Sequence, residues 1–333
     1  MGLEAAMSHD SFLDDDELTS IRLQYPKSSR LMLGTTANLQ QPAFLKALET
    51  RYPLELSLEC RELHVPLRLL PFRQARPFAV FLYSEAPNAP WELIGRTETV
   101  LYDEYIRFVT KLKVCCATER DRQKILRVEL FDRRSKSEHI EDQTFVGAAQ
   151  CTLEDIIAEP LLRKEMALGE SRVMQPGKII VSADAIRANE KCARLILNLD
   201  MGSSTKRHHR VFYVLSRQLQ SGDYTPVYRS EVLSREQKRF QPMTRDLTAV
   251  TAGVDDKLLR LELYQFSNRG SHIRLGFMQT SIDKLRSCER HSRLLWWPNA
   301  AGDGDNVIEV GRVVLIETVV SEEVLQFRLR VTQ

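Results

Sequence analysis

The sequence has 333 residues, of which 43% are apolar and 28% are charged, and its formal net charge is only +2. This length allows about two domains that each bury a core. Because the charge balance is nearly neutral, attraction to polyanions has to come from local patches. No apolar run reaches the roughly 18 residues of a membrane-spanning helix. The composition therefore predicts a globular chain without a membrane span.

The first 53 residues differ in character from the remainder of the chain. Acidic side chains crowd 10–17, where a secretory signal would carry its apolar stretch. Cysteines are scattered, without the paired spacing of a zinc site or a disulfide framework. We therefore predict a cytoplasmic protein whose residues 1–53 form a partly disordered N-terminal extension.

Four blocks of the sequence recur in the same order further along the chain. Arg96 and Arg229 occupy equivalent positions that are 133 residues apart. The recurring blocks are 95–101 with 228–233, 124–131 with 257–264, 145–154 with 274–283, and 177–181 with 311–315. Such a repeat indicates two similar units in tandem.

Both units alternate apolar and polar residues with the period of two that a half-buried strand produces. Leu126, Val128 and Leu130 alternate with charged residues, and 259–263 repeats the pattern. One continuous strand is predicted from Ile106 to Val114. Short strands with frequent turn signals favour an all-β sandwich or barrel over a parallel α/β sheet.

Several of these segments resemble the C2 domains of copines. The segments are Val128–Asp132, Thr144–Gly147, Cys151–Ile156, Lys178–Ala183, and the Arg-Thr-Glu and Arg-Ser-Glu tripeptides at 96–98 and 229–231. The resemblance implies two consecutive eight-stranded antiparallel C2-type β-sandwiches, over 54–190 and 191–333. Copines continue into a von Willebrand A-type domain, and we expect this chain to be either copine-like in its first two domains only or a truncated relative.

The resemblance also implies calcium sites on the apical loops, because this hard cation takes six to eight oxygen ligands. In the first unit Arg76 stands where the family has its first-loop aspartate. In the second unit a cationic segment that ends at Arg210 occupies the equivalent position. Asp132 remains as a residual candidate ligand, while its counterpart is Gln265. We therefore expect no cofactor and a loss of calcium dependence.

The same substitutions predict loops that are positively charged without an ion. The candidate lipid-binding loop residues are Arg68, Arg73, Arg76, Arg133 and Arg134 in the first unit and Lys206, Arg207 and Arg210 in the second. Each cation near an anionic membrane contributes about 1 kcal/mol of binding free energy. Apolar residues between Val65 and Phe72 either insert into a membrane or pack as ordinary core.

A second candidate surface is a basic sheet face of the first unit. Arg107, Lys111 and Lys113 lie on one side of the strand predicted there, and such a face in C2 domains binds lipid head groups. The alternative is a solvated edge whose charges discourage aggregation.

No nucleophile with a base, no glycine-rich phosphate loop and no basic stripe with aromatics stands out. We predict no enzyme activity, no small-molecule substrate and no nucleic-acid partner. The first hypothesis is a cytoplasmic adaptor in trafficking or signalling, peripheral at the plasma membrane or other membranes, whose partners are anionic lipids. The second is a scaffold for unidentified protein partners that has lost lipid binding. Calcium sensing through Asp132 is a third.

Overall fold

The fold is all-β, with short helices at the ends of strands. It was obtained as a computed structural model. The structure describes residues 53–64, 74–103, 105–171, 176–186, 192–200, 210–234, 236–237, 239–254, 256–287, 292–295 and 312–323. The predicted extension therefore lies outside the described residues, except for its last residue, Pro53, which begins the first strand.

Strands β1 to β9 form a first sandwich of two antiparallel sheets. The strands are β1 (Pro53–Arg61), β2 (Pro77–Ser84), β3 (Glu92–Arg96), β4 (Tyr105–Arg107), β5 (Leu112–Cys115), β6 (Ile125–Asp132), β7 (Thr144–Thr152), β8 (Arg163–Ala167) and β9 (Lys178–Ala185). One sheet has the order β4-β1-β9-β8 and the other β3-β2-β6-β7. Both β4 and β5 pair with β1, at its opposite ends. These two short strands therefore fill one strand position.

Strands β10 to β17 form a second sandwich with the same plan. The strands are β10 (Cys192–Asp200), β11 (Val211–Gln218), β12 (Tyr224–Arg229), β13 (Met243–Asp246), β14 (Leu259–Gln265), β15 (Ile273–Thr280), β16 (Ser292–Leu295) and β17 (Arg312–Glu323). The sheet orders are β13-β10-β17-β16 and β12-β11-β14-β15. All the described pairings are antiparallel, as the resemblance to C2 domains implies.

Within the described residues, four short α-helices join the strands. They are α1 (Glu119–Gln123), α2 (Leu153–Ala158), α3 (Leu247–Thr251) and α4 (Ile282–Ser287). At the start of α2, Thr152 Oγ1 accepts a hydrogen bond from Asp155 N, and the Asp155 carboxylate accepts one from Thr152 N. This reciprocal cap satisfies helix-terminal N–H groups that would otherwise have no partner. Leu153 and Ile156 face the core.

Each sandwich encloses its own apolar core. In the first, Leu54, Leu56 and Leu58 of β1 face Val128 of β6 across the interior. The second core has the corresponding leucines of β10 together with residues of β11 and β14. Because one face of each strand is buried in this way, the period of two in the sequence is explained.

The Arg-Thr-Glu tripeptide and its counterpart have a structural role. Thr97 Oγ1 accepts a hydrogen bond from Ala79 N at 2.9 Å, and Ser230 Oγ accepts one from Tyr213 N at 2.8 Å. The two hydroxyl oxygens thus accept hydrogen bonds from buried backbone N–H groups of β2 and β11, which would otherwise lack a partner. The sequence similarity of the two units reflects this shared hydrogen bonding.

The third residue of the tripeptide explains a departure from the sequence prediction. The carboxylate of Glu98 accepts hydrogen bonds from Val109 N at 2.5 Å and Thr110 N at 3.0 Å. These N–H groups are therefore unavailable to a neighbouring strand. The predicted continuous strand from Ile106 to Val114 was wrong for this reason, and the chain there forms two short strands, β4 and β5.

Candidate functional site

Asp132 lies at the end of β6, beside the loop that leads into β2. Its Oδ1 accepts a hydrogen bond from Arg76 N at 2.8 Å, and its Oδ2 lies 2.5 Å from Arg134 Nε. The carboxylate is almost fully buried, with 1% of its side-chain surface exposed. The guanidinium of Arg134 therefore neutralises the candidate calcium ligand.

This donor set does not fit a calcium ion. A cage needs six to eight oxygens, and within the described residues no group of three or more His, Cys, Asp or Glu side chains is placed to hold a metal. Opposite Asp132 in the β6–β7 pairing stands Thr144, which has no charge. An ion here would also have to displace Arg134.

The surface of this loop carries charges of both signs. The side chain of Arg76 is exposed, and Arg133 is half-buried. Burial lowers the pKa of Arg96, and the charge of Arg133 nearby lowers it further. Exposed acids at Glu138, Glu141 and Asp142 lie on the following loop. The loop end is thus cationic at its centre and acidic at one rim.

The corresponding end of the second sandwich repeats the backbone arrangement. Phe266 N donates to Arg210 O at 2.9 Å, as Arg133 N donates to Arg76 O at 2.9 Å. The guanidinium of Arg210 lies 4.3 Å from the ring centroid of Phe266, and it donates to Asn268 Oδ1 at 2.7 Å. Four other predicted loop cations lie outside the described residues, and these are Arg68, Arg73, Lys206 and Arg207.

The two loop ends lie side by side. Gly270, in the turn between β14 and β15, has a positive φ of 76°. A Cβ atom there would overlap the carbonyl oxygen of Tyr102 and would lie 2.6 Å from Gln74 Nε2. Only glycine fits this close approach without a shift of the backbone. Gln74 precedes Arg76 by two positions, so the cationic loops of both units share one end of the molecule.

The predicted basic sheet face lies between the sandwiches. Arg107 Nη2 lies 3.3 Å from Glu262 Oε2 of the second unit, and Arg107 Nη1 donates to Tyr224 O at 3.2 Å. Lys111 Nζ donates to Thr225 Oγ1 at 2.6 Å. In this arrangement the side chains of Arg107 and Lys111 bind groups of the second unit. Lys113, on β5, is half-buried.

Glu262 is the hub of the contact. Its buried carboxylate lies 3.3 Å from Arg107, 3.2 Å from Arg260 and 3.2 Å from Arg274. Burial alone would raise the pKa of Glu262, but the guanidinium charges hold it below its ordinary value. One carboxylate from the second unit thus balances a cation of the first.

In another part of the same contact, the signs of the charges that the two units contribute are exchanged. Arg217, at the end of β11 and fully buried, pairs with Glu55, and its Nε lies 3.3 Å from Asp184 Oδ2. Lys257 Nζ lies 3.3 Å from the same Asp184 oxygen. Here the first unit supplies the acids and the second unit the bases. We call this whole contact, with its two ion-pair clusters around Glu262 and around Asp184, the seam.

The seam also buries polar atoms that have no partner. Among the described residues, Ser57 Oγ, Ser182 Oγ and Glu59 Oε1 are inaccessible to solvent and make no hydrogen bond. Ser57 and Ser182 are opposite each other in the β1–β9 pairing. Each such atom costs about 1–3 kcal/mol relative to a hydrated one. The seam is therefore specific in charge and poorly satisfied in hydrogen bonding.

A crevice opens between the units beside the seam. It is lined by residues of both units, among them Tyr105, Arg107, Arg229, Tyr264 and His272. Burial lowers the pKa of His272 to about 4, and the neighbouring charge of Arg229 acts in the same direction. The imidazole is therefore neutral near pH 7, which leaves the arginines as the cations of the crevice.

Sequence reasoning missed the seam. Glu55, Ser57 and Glu59 alternate with leucines on β1, and this pattern is typical of a solvent-facing side. In the structure all three are buried. The one available signal was charges of opposite sign on the same strand, such as Arg260 and Glu262, and this pattern does not identify a partner.

Comparison with curated proteins finds relatives in a plant. Protein BONZAI 2 of Arabidopsis thaliana is 26% identical over 222 residues, which cover 62% of this chain and 37% of that protein. Protein BONZAI 1 of the same organism is 22% identical over 244 residues, covering 69% and 42% respectively. The chain thus spans about two fifths of the length of the curated relatives it matches. No protein-family model matches it.

Solved structures with C2 domains are also similar to the chain. BON1-C2B shares 19% identity over 39% of this chain and 92% of that structure, with a TM-score of 0.32. The calcium-bound pair of C2 domains of Extended-Synaptotagmin 2 shares 13% identity over 82% and 98%, also with a TM-score of 0.32. In the described part of the chain, no helix is long and apolar enough to cross a bilayer. The two antiparallel sandwiches confirm the predicted all-β fold, and the chain is similar to the plant BONZAI proteins and to structures of C2 domains.

Proposed function

We propose that the chain is a copine-like tandem C2 protein that binds anionic membrane surfaces through its two adjacent loop ends, without calcium. It acts as a peripheral adaptor in membrane trafficking or signalling on the cytoplasmic side of the plasma membrane or another membrane. It has no enzymatic role, no cofactor and neither a small-molecule substrate nor a nucleic-acid partner.

The observation that carries this proposal is the contact between Arg134 and Asp132. In a calcium-dependent C2 domain a bound ion would turn a negative loop end positive, and here a guanidinium of the chain itself takes that place. Arg76 adds an exposed cation next to it. The centre of the loop end is therefore positively charged whether or not an ion is bound.

The position of Gly270 supports a joint surface. Because it holds the second loop end against Tyr102 and Gln74, a flat surface that touches Arg76 also comes close to the loops of the second unit. Glu138 and its acidic neighbours oppose this attraction. We therefore expect weak binding that falls steeply with salt, since each exposed cation contributes only about 1 kcal/mol.

A protein-interaction scaffold remains the second candidate, and an exposed apolar edge favours it. On the edge strand β3, Leu93 is exposed by 44%, and Trp91, just before that strand, is exposed by 38%. Exposed apolar side chains on a strand edge are typical of protein contacts. Under this reading the two sandwiches present edges and loops to other proteins, and the loop cations have no lipid to bind.

Co-sedimentation with vesicles of phosphatidylcholine and phosphatidylserine, in chelator, tests the proposal. The key variant is Arg76→Glu, and its matched control is Arg120→Glu. Arg120 is exposed and pairs with Glu85, which follows β2, whereas Arg76 precedes β2. The two positions are therefore separated by the length of an eight-residue strand, about 26 Å.

We expect the wild type and Arg120→Glu to pellet equally and Arg76→Glu to lose about tenfold or more in binding, since charge reversal removes about two charge contributions. Equal pelleting of the two variants would exclude the loop end as the contact. Absence of pelleting for the wild type at low salt would leave the scaffold as the better account. Pelleting that requires calcium would overturn the role given to Arg134.

A further inference from the structure

The polar face of the first sandwich has the composition of an exposed surface. Its residues from β1 and β9 are Glu55, Ser57, Glu59, Ser182 and Asp184. All five are buried, with no more than 5% of their surface exposed. Their neighbours on the other side of the sheets are apolar core residues. The second unit is what covers this face, because its Arg217 and Lys257 contact Glu55 and Asp184.

This cover is held mainly by ion pairs and is incompletely matched. Polar contacts between units are typical of domains that move relative to each other. The unsatisfied hydroxyls of Ser57 and Ser182 would regain hydrogen bonds to water if the units parted. Closure therefore depends on the charge pairs around Asp184 and Glu262.

The cover hides two cations of the first unit. Arg107 is occupied by Glu262 and by the Tyr224 carbonyl, and Lys111 by the Thr225 hydroxyl. One carboxylate and three uncharged oxygens of the second unit, the third being the Tyr264 hydroxyl at 3.2 Å from Arg107, accept from these two cations. Anionic oxygens of a surface offer both the charge and the acceptors. Separation of the units would leave Arg107 and Lys111 facing outwards on the same sheet as Lys113.

From these observations we infer that the second sandwich is an intramolecular cover, whose seam holds Arg107 and Lys111 away from anionic membrane surfaces until the two units separate. The contact is autoinhibitory, and it concerns a surface different from the loop ends. The seam thus gives the tandem a closed state with one lipid-facing end and an open state with an additional cationic face.

The test opens the seam through Lys257, whose ammonium faces Asp184 and not Arg107 or Lys111. In Lys257→Glu, a carboxylate replaces the ammonium that faces Asp184, so the cluster of acids on the first unit repels the second unit. The matched control is Lys284→Glu, the same charge change at an exposed position of α4. Small-angle scattering measures opening as an increase in radius of gyration, and vesicle pelleting in chelator measures binding.

We expect Lys257→Glu to expand and to bind phosphatidylserine vesicles at least threefold more tightly than Lys284→Glu. Adding Arg107→Gln and Lys111→Gln to Lys257→Glu should return binding to the control value while the expanded shape persists. An unchanged radius of gyration in Lys257→Glu would overturn the role of the seam. Expansion without a gain in binding, or a gain that survives the two glutamine substitutions, would overturn the hidden cationic face.

A second opening variant guards against loss of folding in the first. Gly270→Ala acts by overlap with the Tyr102 carbonyl and leaves every seam charge in place. It should produce the same expansion and the same gain. These results are separable from the proposed loop-end contact, because Arg76→Glu should weaken binding of the closed protein about tenfold or more and should leave the gain on opening intact.

Discussion

Arginine meets aspartate in two regions of this molecule, with opposite consequences. At the loop end Arg134 contacts Asp132, and exposed cations such as Arg76 surround the pair. At the seam Arg217 contacts Asp184, and both side chains are buried. The loop end thus presents charge to solvent, whereas the seam removes charge from it.

The difference shows how burial changes the value of a charged pair. A buried ion pair loses hydration on both partners, so removing one partner leaves an uncompensated charge and costs several kcal/mol. An exposed pair keeps most of its hydration and is worth little. The charges of the seam therefore determine how the two units fit, while at the loop end the exposed Arg76 beside the buried Asp132 remains available for a ligand.

The largest expected effect is that of Glu262→Ala. This change leaves Arg107, Arg260 and Arg274 facing one another without a counter-charge, so we expect a loss of about 3–5 kcal/mol in the free energy of unfolding. Urea denaturation followed by circular dichroism measures it. Glu262→Gln, which keeps the shape and an acceptor oxygen, should lose less. A cost below about 1 kcal/mol for the alanine variant would contradict a tightly closed seam.

The next effect is a dependence of stability on pH. Burial lowers the pKa of Lys111 to about 7 from its ordinary 10.5, and the charge of Arg217 adds to the shift. Between these two pH values the unfolded chain binds more protons than the folded one, so stability rises with pH across this window. We expect a gain of up to about 2 kcal/mol from pH 7 to pH 9.

The substitution Lys111→Met should remove this gain, and Lys113→Met, two residues further along on β5, is its control. Denaturation curves at pH 7 and pH 9 for the three proteins decide the matter. If the gain persists in Lys111→Met, another group causes it.

A smaller effect is expected at the loop end. Asp132→Asn keeps an acceptor for Arg76 N but loses the charge that faces Arg134, which should cost about 1–2 kcal/mol of stability. The exposed Asp142→Asn serves as the control and should change little. Thermal unfolding in calcium and in chelator should give the same melting temperature for the wild type, and a calcium-dependent rise would contradict the pairing of Asp132 with Arg134.

The smallest expected effect on stability is that of removing an exposed ion pair. Arg120 pairs with Glu85 at an exposed position on α1, and Arg120→Ala should change stability by no more than about 0.5 kcal/mol. The same urea titration measures it. A loss comparable to that of Glu262→Ala would show that exposure does not decide the value of these pairs.

Much of the fold is predictable from the sequence, because its signals are local. The period of two along β6 and β14 identifies strands, and the repeated tripeptides identify two equivalent units. The break between β4 and β5 was not predictable, since it depends on hydrogen bonds that the Glu98 carboxylate accepts from N–H groups eleven and twelve residues away. A side chain that competes with a strand ladder leaves the apolar pattern unchanged.

The candidate sites were predictable only in part. Replacement of a loop aspartate by Arg76 is visible in the sequence, but the contact of Arg134 with Asp132 depends on the fold. The basic face at Arg107 and Lys111 was identified as a surface, and nothing local reveals that a second sandwich covers it. Alternation along a strand distinguishes the face that packs on the core from the opposite face. It does not show whether that opposite face contacts solvent or another domain.

The close approach at Gly270 has a consequence for avidity. Because the turn rests on Tyr102 and Gln74, the two loop ends are held at a fixed spacing. Under the proposed function, and while the two units are closed, contact at one loop end would place the other at a high effective concentration, so the second contact would add affinity without a new entropic cost of association. Two weak patches on a fixed frame thus respond to the density of charge on a surface more steeply than either patch would alone.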